Sequence, residues 1–260
     1  MVRRNFGVIS MIWQVVWPIL FYTAVTAVIA FFMGGFLNVM WVVTLAAVIS
    51  SVFLFYVYGR REQERRRDYG PSWRVRIDMG RGAALVFILA FASCIFLNNL
   101  MELTGIVHMS EGFDEINEDI YSVSIVLQIL STGLAAPVVE ELIFRGLCYG
   151  RLRSAMGIIP AAVVSALIFG LYHGNLVQAV YAFALGILLA LVYEHFDGLF
   201  PAVWFHVSAN LTSIILTASL GAFPAFFGSW IFILISTVLS FLAAAACLRV
   251  IYDRRRRIRK

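Results

Sequence analysis

Six side chains in the second half of the sequence have the types and spacing to do chemistry: Glu140, Glu141, Arg145, His173, His206 and Asn210. All six lie in apolar stretches. The two glutamates follow Ala136-Pro137-Val-Val, His173 closes Ile168-Phe-Gly-Leu-Tyr, and Asn210 ends Phe205-His-Val-Ser-Ala. An ionisable side chain inside a bilayer costs about 2.5–3.5 kcal/mol on insertion scales, so it faces other protein, pairs with something, and usually marks a function. Helical spacing gives each a neighbour. Glu141 and Arg145 are four apart, share a face and can pair. Glu140 is turned about 100° away and lacks that cation. Phe169 and His173 are also four apart, as are His206 and Asn210.

If the helix bearing the glutamates runs on through Arg153, the turn falls near Met156-Gly157. Glu140 and His173 then lie about sixteen residues to either side of it, at similar depth on antiparallel helices. The same count puts His173 near the outer end of its span, while His206, about eight residues into its own, counts as nearer the cytoplasm. One helix must bend or tilt for the three to meet.

Two chemistries suit this set. A carboxylate in a low-dielectric pocket takes a proton from water more readily than one in solution, and can return it to a leaving amine. Imidazoles then orient the water or donate to a developing oxyanion, and an Asn amide can donate too. Alternatively, Glu140, His173 and His206 are a candidate metal set, since two histidines and a glutamate bind zinc with a position left for water. No HExxH motif is present. A proton relay of a transporter is a third reading, with Pro137 and Gly170 as helix interruptions. Glu141 with Arg145 would be satisfied as a structural pair. Three ionisable groups on three segments would not. Cys148 lacks a nearby activating partner, Ser208 lies off the His206 face, and His108 and His195 fall in expected loops.

The elements that must hold these residues follow from composition. The chain has 260 residues, 62% of them hydrophobic and 13% charged, with a mean hydropathy of +0.89. Soluble domains run near 45–50% apolar and about 25% charged. Only a bilayer accommodates the excess. The expected fold is an all-α, polytopic transmembrane bundle of about eight spans: Val8–Met33, Phe36–Tyr58, Ala83–Leu103, Ile120–Phe144, Gly157–Tyr172, Asn175–Tyr193, Leu199–Leu220 and Phe223–Tyr252. Gly34-Gly35, Asp197-Gly198 and Gly221 mark tight turns. No cleavable signal peptide is evident, so the first span is expected to stay.

The net charge of +5 does not point to nucleic acid, because the basic residues flank apolar runs. Arg3 and Arg4, the Gly59–Gly82 loop, Arg145, Arg151, Arg153 and the Arg249–Lys260 tail hold all 20 basic residues. Eight spans with both termini cytoplasmic put every one on the inner side or at that end of a helix. The opposite loop carries Glu111, Asp114, Glu115, Glu118 and Asp119 with no base. Cys94, Cys148 and Cys247 are scattered through apolar stretches and read as small buried hydrophobes. No internal repeat is apparent.

Glu140-Glu141-Leu-Ile-Phe-Arg145 resembles the EExxxR motif of the CPBP family, the CAAX proteases and bacteriocin-processing enzymes. Phe169-Gly-Leu-Tyr-His173 resembles its FxxxH motif and His206-Val-Ser-Ala-Asn210 its HxxxN motif, in the same order. The resemblance covers roughly Leu127–Ile215 and implies an integral membrane endopeptidase, in a bacterial cell membrane, acting on membrane-associated or lipidated peptides. It implies that Glu140 and His173 activate water, that His206 and Asn210 bind the oxyanion, and that Glu141, Arg145 and Phe169 support the site. Family members are often called metalloproteases, with zinc as the candidate ion. Three regions are expected: residues 1–119 with the first spans and a basic loop, 120–222 as the catalytic core, and 223–260 as the last span and basic tail. A non-catalytic binding or bacteriocin-immunity role on the same fold is the alternative.

Overall fold

The computed structural model describes residues 7–69, 81–196, 198–222, 224 and 228–258. Arg3, Arg4, Arg74, Arg76, Arg259, Lys260, the Gly70-Pro-Ser72 turn and Asp197 lie outside them. Among the described residues the chain is helical. The long helices are α1 (Val8–Met33), α2 (Val39–Tyr69), α3 (Arg81–Thr104), the continuous α5 (Ile125–Met156), α7 (Leu176–Phe196), α8 (Leu199–Ala222) and α9 (Trp230–Ile258). Two shorter ones intervene, α4 (Glu111–Tyr121) and α6 (Ile158–Tyr172).

Seven of these helices are long and apolar enough to cross a membrane. The chain is an integral membrane protein. The eighth expected span, α6, has only 15 residues, about 22 Å of helix against a hydrocarbon core of about 30 Å. Apolar side chains surround each spanning helix rather than lining one face, so burial is decided by neighbours and the remainder faces lipid. Of the most apolar stretch of α9, 11% is buried, and of α1, 17%. The figure for α8 is 56%, so α8 is central and α1 and α9 peripheral. α5 packs against α1, α2, α6 and α8, while α3 lies along both α8 and α9. Several hydroxyls inside spans return to their own helix, as in Thr44 Oγ1 to Met40 O at 2.6 Å and Thr212 Oγ1 to Ser208 O at 2.7 Å.

Several boundaries differ from expectation. α2 does not end at Tyr58. It continues to Tyr69 because the charged run is itself a good helix former, tied by Arg65 to Glu62 through two bonds of 2.6 and 2.7 Å. The acidic loop between the third and fourth expected spans is largely α4. The following span starts at Ile125 rather than Ile120, where the Ser124 hydroxyl caps the Leu127 N–H. Gly221 lies inside α8, and α9 starts at Trp230. His195, expected in a loop, is a buried residue in the last turn of α7, its ring edge-on to Phe196. His108 sits in a 3-10 turn, Ile106–Met109. Arg145 is fully buried in the bundle and is no topological marker. The three cysteines are buried, as expected.

The expected orientation has a direct check. A Cys introduced at Ser110 is labelled by an impermeant maleimide in intact cells, and one at Ser72 only after permeabilisation. Because the native cysteines are buried, the background is low. Equal labelling from outside would overturn a cytoplasmic placement of the basic loop.

Candidate active site

α5 is an unusual helix. Two π-helical segments, Ile129–Ala135 and Leu142–Tyr149, bracket the short α-helical stretch Ala136–Glu141 that carries both glutamates. Such segments widen a helix and concentrate at functional sites. Here one has an identifiable cause. The Ala136 N–H bonds Ser131 O, five residues back. The next bond in that pattern would run from residue 137 to Thr132 O, and Pro137 has no N–H to give. Asn210 of α8 fills the place, its Nδ2 donating to Thr132 O at 2.7 Å. The amide that closes one motif is thereby tied to the helix that carries another.

Glu141 is the electrostatic centre. Its Oε1 accepts from Arg145 Nη1 at 2.8 Å, as the spacing of four predicts, and meets His206 Nδ1 at 2.8 Å. All three side chains are at most 4% exposed. Glu140, with its side chain 15% exposed, places Oε2 3.7 Å from His206 Nε2. One imidazole thus stands between the two carboxylates, with Nδ1–H donated to Glu141 and Nε2 turned toward Glu140. His173 is fixed in the same manner. It caps the C-terminus of α6, and its Nδ1 pairs with Phe169 O at 2.8 Å, which leaves Nε2 as an acceptor in the neutral ring.

Phe169 joins the parts. The Arg145 guanidinium lies over its ring at 4.4 Å, and the rings of His173 and His206 meet it edge-on at 4.9 and 5.7 Å. Cation–π contacts out of water are worth about 2 kcal/mol. Gly157, at φ 89°, turns α5 directly into α6, and Arg145 and Phe169 stand twelve residues to either side of it. The structure brings Glu140, Glu141, Arg145 and His206 into contact, and His173 joins through Phe169 and the Tyr172 ring, 6.0 Å away.

A second polar group ties α5 to α7. Near the C-terminal end of α5, Arg153 forms a two-pronged ion pair with the buried Glu194 of α7, Nη2 to Oε1 at 2.7 Å and Nε to Oε2 at 2.6 Å, and Tyr149 Oη adds a bond of 3.1 Å. Glu140 lies thirteen residues before Arg153 on α5, and His206 lies seven residues after Leu199, the first residue of α8. Glu194 was not singled out from the sequence. Its signal was a carboxylate near the end of an apolar run with no base four residues away.

The candidate metal ligands do not form a set. Among the described residues no three of His, Cys, Asp and Glu are grouped as a metal site requires. Both histidines do present Nε2 with Nδ1 anchored, the arrangement that ligating imidazoles adopt, but Glu140 is near only one of them in the measured contacts.

Residues 122–212 are similar to the family described as Type II CAAX prenyl endopeptidase Rce1-like, and that segment contains every motif residue above. Over 130 residues, 50% of this chain, the sequence is 27% identical to the "Putative membrane peptidase YdiL" of Bacillus subtilis (strain 168), and the match covers 52% of that protein. The chain thus aligns with about half the length of the curated relative it matches. No solved structure matches significantly. The family match runs from just before α5 into α8, whereas α1 to α4 and α9 lie outside it.

Proposed function

We propose that this chain is an endopeptidase that hydrolyses peptide bonds of membrane-associated or lipidated substrates, with residues 120–222 carrying the chemistry and the flanking spans framing it. The observation that carries this reading is the His206 imidazole held between Glu141 and Glu140, at 2.8 and 3.7 Å. Glu140, the carboxylate without an arginine, takes the proton from water as the water oxygen attacks the scissile carbonyl. His173 accepts a hydrogen bond from that water through Nε2 and orients it. The oxyanion receives hydrogen bonds from His206 and from the second N–H of Asn210, the first being engaged by Thr132. When the C–N bond breaks, Glu140 passes its proton to the leaving nitrogen, which restores the resting site. Arg145 and Phe169 keep Glu141 and the imidazoles in place.

The test is cleavage by purified protein, in detergent and in lipid nanodiscs, of a peptide pool with and without prenylated cysteines, read by mass spectrometry. Cleavage at discrete sites is expected, and it persists after rigorous metal removal checked by elemental analysis. Failure to cut any peptide would favour a binding or immunity role. Loss of cutting on stripping, with return on zinc addition, would make Glu140, His173 and His206 ligands instead.

A further inference from the structure

Gly186 lies in the middle of α7 and is buried. Nothing local calls for a glycine there. It is not among the residues of positive φ, the helix is apolar throughout, and alanine in a helix interior is favoured over glycine by about 1 kcal/mol. The reason is across the interface. A Cβ on Gly186 would stand 2.9 Å from Ala166 Cβ, 3.1 Å from Ala166 Cα and 3.1 Å from Arg145 Nη2, all inside the contact distance of about 3.5–4.0 Å that non-bonded heavy atoms prefer.

The Arg145 contact matters because little else fixes that guanidinium. It is fully buried, yet Nε and Nη2 make no hydrogen bond among the described residues. It is held by the single bond from Nη1 to Glu141 Oε1, by the Phe169 ring, and by the wall that Gly186 offers. The same Glu141 oxygen holds His206. A displacement of Arg145 is therefore passed to the imidazole through one shared atom.

We propose that Gly186, on a helix that carries none of the three motifs, is a positioning residue of the site: its missing side chain lets Arg145 fit between α7 and Phe169 and so keeps Glu141 on His206. Only the turnover arm of the test rests on the peptidase reading. In Gly186→Ala, kcat falls about tenfold to a hundredfold, as misplacement by about 1 Å can produce, while KM stays within about twofold because substrate binding is not the interaction lost. The downfield His206 Nδ1–H signal, read by NMR on protein with 15N-labelled histidine, shifts or broadens. Gly186→Ala combined with Ala166→Gly separates positioning from packing. Removing the Ala166 methyl relieves the shortest contact between α6 and α7 and recovers part of the lost thermal stability, whereas turnover and the His206 signal stay perturbed because Arg145 is still pushed. Ala166→Gly alone leaves both at wild type. Wild-type turnover and signal in Gly186→Ala, or recovery of both in the double variant, would overturn the proposal. If the wild type cuts no peptide, the peptidase reading falls and the His206 signal still decides the role of Gly186.

Discussion

Glu140→Gln is expected to leave a folded protein that binds substrate and turns over at least about a thousandfold more slowly, within the 10²–10⁴ range that general acid–base catalysis contributes. The glutamine keeps shape and size but can neither take a proton from water nor deliver one to the amine. The structural cost is small, because the carboxylate is partly exposed and its measured contact, with His206 Nε2, is 3.7 Å long. The neighbouring residue provides the contrast. Glu141→Gln weakens the bonds to Arg145 and His206 together, so it lowers stability as well as turnover. The measurement is kcat alongside the melting temperature in detergent. Activity of Glu140→Gln within tenfold of wild type would remove Glu140 from the reaction.

Arg145→Ala has the largest expected effect on stability. Breaking a buried ion pair from one side typically costs about 3–5 kcal/mol, since the remaining charge is left uncompensated. Both partners here are 0% exposed, so solvent cannot screen the orphaned Glu141. The contact with Phe169 is lost as well. His206 then faces a carboxylate free to turn toward any other donor, so activity falls with stability. Arg145→Lys keeps the charge but not the planar fork over Phe169, and should lie between. Denaturation in mixed micelles reads the stability, and a melting point equal to wild type for Arg145→Ala would contradict a structural role for the pair.

What the sequence determined about this protein is what one helix at a time can express. Composition demanded a bilayer, apolar runs gave the spans, and the spacing of four between Glu141 and Arg145 gave a pair that the structure contains. The turn at Gly157 was also legible. The charged end of α2 and the acidic α4 were not, because both are helices of polar residues, and a search for apolar runs sees them as loops.

The partners of His206 were decided by tertiary structure alone. Residue counting placed it too near the cytoplasm, yet in the bundle its Nδ1 lies 2.8 Å from Glu141 Oε1 on α5. Asn210 meets Thr132 because Pro137, on another helix, leaves that carbonyl without a donor. Gly186 meets Arg145 only because α7 closes over α5. Spacing along a chain fixes which side chains share a face, since the helix repeat is the same everywhere. Which faces meet, and at what height, depends on where each helix begins and what it is pinned to, and those are contacts between residues far apart in sequence.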